Sequence, residues 1–205
     1  MGVMGRPRTF DRDKAIDEAL DLFWQNGFEA TSLSQLKAGI GGGISAPSFY
    51  AAFGSKEALF LECTQRYLAT YAKVADCLWD PVMAPREAVE TALRRSAKMQ
   101  YGRQHPKGCM VGLGAMSAPS EDHATVTVPL TRSRAHTRAG FVACVQRAID
   151  AGELHADVEP RALAAVFDAF LLGVSVLARD GVRYATVDAS IAHVMHAWDA
   201  QSARA

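Results

Sequence analysis

Three groups of residues have types and spacings that could do chemistry. The first is the run Gly39-Ile-Gly-Gly-Gly43, which leads directly into Ser45-Ala-Pro-Ser-Phe-Tyr50. Glycine-rich loops cradle phosphates when their backbone N–H groups converge at a helix start. The dinucleotide form needs G-x-G-x-x-G after a buried strand, but the sixth position counted from Gly39 is Ile44. The form G-x-x-x-x-G-K-[ST] does not occur. The second group is Cys109 with His105 and Lys107 close by. Nearby cations and a helix start lower a thiol pKa and favour the reactive thiolate; the alternative is a small buried apolar residue. The third is His193 and His196, three apart on one predicted helix. No Cys, Asp or Glu cluster completes a ligand set around them, so no metal is expected. They read as an interface pair.

The elements that carry these residues are helical almost throughout. Ile16, Ala19, Leu20 and Phe23 recur at helical spacing between Asp11 and Gly27. Ser32 and Gln35 form a capping box that starts a second, short helix. Ser45 caps a third, with Pro47 in its first turn. Ser55 caps a fourth, expected to run from Lys56 to about Leu78. Beyond Asp80–Pro85, helices are expected over Arg86–Gln104, Met110–Ser117, Leu130–Ala151, Pro160–Asp180 and Val187–Trp198. The class is all-α, about nine helices.

Two short helices joined by a glycine-bearing turn and braced by a longer first helix form a helix-turn-helix reader. Phe49 and Phe53 give the third helix an inward face, with Phe23 and Leu36 as expected partners. Ser45, Ala46, Pro47 and Ser48 stand near its N-terminus, and Tyr50 presents a hydroxyl to a phosphate.

The 205 residues carry 22 basic and 22 acidic side chains, so bulk charge does not announce a nucleic-acid partner. Residues 1–60 hold six basic and seven acidic residues, so local charge supports DNA binding only weakly. No uninterrupted apolar run approaches the ~18 residues of a membrane span, and the N-terminus lacks a signal-peptide core. Four scattered cysteines without a CxxC pair suit reduced thiols in the cytoplasm. No HExxH, G-x-S-x-G or catalytic Cys/His motif names a reaction, and no cofactor motif is present. An enzyme is therefore the weaker reading.

Residues 5–60 resemble the N-terminal domain of the TetR/AcrR family of bacterial transcription regulators. The resemblance rests on "NGFEATSLSQL" followed by "SFYAAFGSKEALF" at fixed order and spacing. It implies a helix-turn-helix domain with a basic arm at 1–54, joined by a long helix to a ligand-binding and dimerisation bundle at 55–205. It further implies a homodimer on a double-stranded DNA operator, released by a small-molecule inducer. By the same resemblance Ser45–Ser48 read bases. Tyr50, Lys56, Thr31 and Ser32 touch phosphate, and Arg6 and Arg8 form a minor-groove arm. One departure is visible: the turn "AGIGGGIS" is two residues longer than usual, by Gly42 and Gly43.

In the remainder, Met99, Tyr101, Cys109, Met110, Met116, Phe141, Phe167 and Phe170 are candidates to line a ligand cavity. The expected inducer is small and apolar. Ala162–Ala178 is apolar on nearly every side, which calls for burial all round and hence between subunits. The last two helices form the dimer bundle by resemblance, with Leu172, Val176, His193 and His196 at the interface. Alternatives are a redox or electrophile sensor acting through Cys109, and a helical protein that has lost DNA binding.

Overall fold

The computed structural model describes residues 10–114 and 121–203. The described chain is all-helical, with one isolated bridge between Leu154 and Ser202. Arg6, Arg8 and Met116 lie outside the described residues.

The first three helices, α1 (Arg12–Asn26), α2 (Leu33–Gly39) and α3 (Ala46–Phe53), begin and end on local signals. Asp11 accepts the Lys14 N–H, Ser32 and Gln35 complete the capping box, and Ser45 accepts the Ser48 N–H. Gly27 and Gly54, at φ 81° and 74°, end α1 and α3 in backbone that favours glycine. Phe23, Leu36, Phe49 and Phe53 share one buried core. The aromatic neighbours of Phe53 are Phe49 and Phe10, whereas Phe23 packs against Phe28 and Phe60.

The expected long fourth helix stops early. Helix α4 spans Lys56–Ala69, and Tyr71–Trp79 continue as a 3-10 helix. The break is at Thr70, with φ −125° and ψ −83°. Its hydroxyl donates to the Arg66 carbonyl at 2.7 Å, one of the local bonds by which threonine competes with the helix backbone.

The body comprises α5 (Pro85–Gln100), α6 (Met110–Leu113), a 3-10 turn (Glu121–Thr127), α7 (Val128–Asp150), α8 (Pro160–Arg179) and α9 (Tyr184–Asp199). A second core joins α5, α7, α8 and α9 around Leu93, Phe141, Phe167 and Trp198. The first core is not confined to the head: it takes in Met110, Val111, Val126 and Leu130 from the body.

Helix α8 is more apolar than the interrupted runs of its sequence suggest. With mean hydropathy 1.8 over its most apolar stretch, it is long and apolar enough to cross a membrane by composition. It is also not buried all round within one chain. Leu163, Ala164, Phe167, Val174 and Ala178 face inward, whereas Ala162, Ala165, Val166, Ala169, Val176 and Leu177 are exposed. Asp168 on the inner side is neutralised by Arg138 at 2.7 Å.

Candidate nucleic-acid interface

Helix α3 has one face in the core and one in solvent. Phe49 and Phe53 are buried, while Ser45, Pro47, Ser48 and Tyr50 are exposed and Ala46 is half-buried. Tyr50 is 51% exposed, and its hydroxyl has no hydrogen-bond partner among the described residues. The Ser45 and Ser48 hydroxyls lie 2.9 Å apart at the helix start.

The glycine run is a turn. Gly41, Gly42 and Gly43 all have positive φ, at 62°, 76° and 97°, which side chains other than glycine rarely tolerate. The Gly43 N–H donates to the Ile40 carbonyl at 2.9 Å, and the Ile44 N–H reaches back to Lys37 at 2.9 Å. The Gly41 N–H donates to Glu18 Oε2 at 2.7 Å, docking the turn on α1. The N–H of Gly41 thus binds a carboxylate of the fold itself.

Two of the proposed phosphate contacts sit differently from expectation. Thr31 is fully buried, and its hydroxyl donates to the Gly27 carbonyl at 2.6 Å, so it offers no surface to DNA. The cause is its place beneath the α1–α2 corner, where a polar group must be satisfied internally. Ser32, next in sequence, is exposed, but its hydroxyl accepts the Gln35 N–H. Lys56 is half-buried, with Nζ 4.3 Å from the centre of the Phe28 ring, a cation–π arrangement.

The head is fastened at its flank and base by residues that sequence reading missed. Arg66 on α4 reaches Asp13 at 2.7 Å and Asp17 at 2.8 Å on α1, and Arg12 reaches Glu62 at 2.7 Å. Trp24 donates its indole N–H to the Gly108 carbonyl at 3.2 Å and stacks on His105 at 4.5 Å. Arg179 donates to the Trp24 and Gln25 carbonyls, and His123 lies 3.0 Å from Glu29 and 3.7 Å from Glu57. Most of these contacts span dozens of positions, and several end on backbone carbonyls, which leave no trace in side-chain patterns.

The candidate ligand residues disperse. Met99 and Cys109 line a cavity of about 60 Å³ inside the body. Met110 lines a different space of about 290 Å³ between head and body, together with Val176. Phe141 and Phe167 are fully buried and packed on one another in the second core, so they line neither. Tyr101 and Phe170 are half-buried against that core. Leu172, read as an interface residue, is half-buried and lines the cavity. Val176, His193 and His196 are exposed, and the two histidine rings meet edge to face at 5.8 Å. No metal-competent cluster occurs among the described residues.

The Cys109 surroundings also differ from expectation. Lys107 Nζ donates to the Tyr101 and Gly102 carbonyls, and His105 is held against Trp24. The neighbour that reaches the sulfur is Tyr67, whose hydroxyl lies 3.1 Å from Sγ. Burial and the adjacent sulfur push the Tyr67 phenol well above its ordinary range.

Comparison with known proteins accords with this architecture. Residues 15–63 match the model described as bacterial regulatory proteins, tetR family. Residues 86–185 match the tetracyclin repressor-like C-terminal domain. The chain is 32% identical over 183 residues to the HTH-type transcriptional repressor ComR of Escherichia coli, covering 86% of this chain and 83% of ComR. It is 40% identical over 112 residues to the repressor BdcR of the same organism, 53% of this chain and 54% of BdcR. Among solved structures, a cysteine mutant of the TetR family regulator CifR, complexed with 26-base-pair operator DNA, superimposes with a TM-score of 0.81. It is 36% identical, and the match covers 94% of this chain and all of that one. With its helix-turn-helix head, helical body and full-length relatives, the chain belongs to the TetR family of bacterial transcriptional regulators.

Proposed function

We propose that the chain acts in the cytoplasm as a homodimeric repressor on a near-palindromic operator, not as an enzyme, and leaves that operator when a small molecule occupies its body. The reading divides the chain into a DNA-reading head at 1–54 and a ligand and dimerisation region at 55–205. The observation that carries it is the two-sided α3, with Phe49 and Phe53 in the core and Ser45, Ser48 and Tyr50 in solvent. A helix so anchored presents its N-terminal face to a major groove. Tyr50 supplies a phosphate donor, and the Lys56 ammonium leaves the Phe28 ring to join it. The apolar exposed faces of α8 and α9, including Val176, with His193 and His196 beside them, pair with a second copy. Two heads then fall about one DNA turn, ~34 Å, apart or slightly more.

The test is an anisotropy titration on DNA upstream of the protein's own gene at fixed salt, with competitor DNA. Saturable binding that weakens at least tenfold in Tyr50→Ala is expected. Weak, sequence-blind binding, unrepaired by deleting Gly42 and Gly43, would mean that the head no longer reads DNA.

A second reading rests on one contact. Cys109 lines the cavity and is half-buried beside the Tyr67 hydroxyl, so a modified sulfur would break that hydrogen bond and press on α4. Operator release by an electrophile that persists unchanged in Cys109→Ser would exclude it.

A further inference from the structure

The cavity beside Cys109 is not an apolar hole. It lies between the 3-10 helix, α5, α6, α7 and α8, and holds about 60 Å³. Since ~10–15 Å³ suffices for one water, there is room for a molecule of a few heavy atoms. One wall is apolar, with Met99, Leu171 and Leu172. The other carries polar groups whose bonds can be counted.

Gln100 is 1% exposed. Its Oε1 accepts the Ser175 hydroxyl at 2.7 Å, and that hydroxyl also faces the Cys109 N–H at 3.3 Å. The Gln100 Nε2 group has no hydrogen-bond partner among the described residues and borders the cavity. Nε2 is not among the fully enclosed side-chain atoms left without a partner, so an acceptor in the cavity has room to meet it.

Charge points the same way. Asp168 lines the cavity but is cancelled by Arg138, which donates to it at 2.7 Å. Arg134 also lines the cavity. It donates to the Val111 carbonyl at 2.8 Å and to Thr131 at 3.0 Å, and makes no ion pair among the described residues. Asp168 acts on Arg134 only at a distance, and a half-buried guanidinium without a direct ion pair, near an amide donor, complements an anion with oxygen acceptors. A surface cleft of about 400 Å³ lies next to the cavity, and Ala72, Ala75, Ser133 and Thr137 border both.

We propose that this cavity binds a short-chain carboxylate. Its oxygens accept from Gln100 Nε2 and Arg134, and its tail lies on Met99, Leu171 and Leu172. This deepens the ligand reading of the body given above and replaces the apolar inducer expected from sequence.

The test is calorimetric titration of the full-length protein, without DNA, using propionate, propionamide and 1-propanol as matched probes. Saturable binding of propionate is expected, at least tenfold tighter than propionamide, with none for propanol. Gln100→Met should weaken propionate at least tenfold. Arg134→Gln, which keeps donors but removes the charge, should bring propionate and propionamide within about threefold of one another. Equal binding of the two probes by the unaltered protein, absence of saturation, or undiminished preference for propionate in Arg134→Gln would each overturn the proposal. A parallel operator titration separates the two readings. Propionate that binds without releasing DNA leaves the carboxylate site standing and removes its role as inducer.

Discussion

Arg179 Nη2 donates to the carbonyl oxygen of Trp24 over 2.7 Å, joining the last turn of α8 to the last turn of α1 across 155 positions. Nη1 takes the Gln25 carbonyl at 3.0 Å, and Nε reaches Lys107 at 3.3 Å. The end of a helix carries partial negative charge on its unpaired carbonyls, so a guanidinium there is well placed. One side chain thus holds the base of the head, the end of α8 and the loop that leads into Cys109. These bonds tie that loop to α1 through one side chain.

Replacing Arg179 by Met should therefore do more to coupling than to folding. The bonds are largely solvent-exposed, so a stability loss of about 1 kcal/mol is expected. Operator affinity should become less sensitive to whatever ligand releases the unaltered protein. Denaturant unfolding and operator titration with and without that ligand measure the two effects.

Thr31 and Ser32 are adjacent in sequence and should behave differently. Thr31→Val removes the bond to Gly27 but keeps the shape, and should cost about 1 kcal/mol of stability. Operator affinity in conditions where the protein is folded should not change. Ser32→Ala loses the cap of α2, also about 1 kcal/mol, and should weaken DNA binding as well if its exposed position faces phosphate. A drop in affinity for folded Thr31→Val would reverse the structural assignment.

The extended turn is held in a backbone conformation specific to glycine. Gly41→Ala meets both a φ of 62° and the Phe10 ring at 3.0 Å from the new carbon. A cost of about 1–2 kcal/mol is expected from the backbone alone. Glu18→Gln keeps an acceptor for the Gly41 N–H and should be milder. Thermal melts of the two variants rank them, and operator affinity should fall in the same order.

Acid should loosen the seam between α5 and α9. The Arg94 hydrogen bond first, and that of Arg86 next, hold Glu90 below the usual carboxylate range; the Arg86 hydrogen bond does the same for Asp199. Their folded pKa values lie below the unfolded ones. Their contribution is therefore complete above about pH 5 and disappears as pH falls through the lowered values. Arg86→Met should lower the unfolding free energy at neutral pH by less than about 1 kcal/mol, and make no difference in strong acid. A loss of equal size at both pH values would locate the effect in packing.

The four thiols should react unequally. Burial pushes Cys144 up to about 11 and raises Cys63 and Cys77 as well. Cys109 is half-buried and lines the cavity. Alkylation of the native protein at mildly alkaline pH, read by peptide mass spectrometry, should label Cys109 first and the other three only on unfolding.

The head was legible because its determinants are local. The Ser32–Gln35 box, Ser45 with Pro47, Gly27 and Gly54 lie within a few residues of the helix ends they set. Helical periodicity likewise placed α5, α7, α8 and α9 to within a few residues. The end of α4 was not legible: the chain turns at Thr70, whose hydroxyl bonds the Arg66 carbonyl, within an otherwise good helical pattern. The apolar side of α8 was readable as a surplus of hydrophobic residues, but which residues face inward depended on how α8 sits against α5, α7 and α9. Only the tertiary structure decided that Phe141 and Phe167 are core, that Leu172 faces a cavity, and that Thr31 is a buried brace. It alone assembled Gln100, Arg134, Asp168 and Ser175, which come from three helices up to 75 positions apart. Periodicity tells whether a residue lies on a helix face. It does not say which other helix that face meets, because that is settled by packing among all the helices at once.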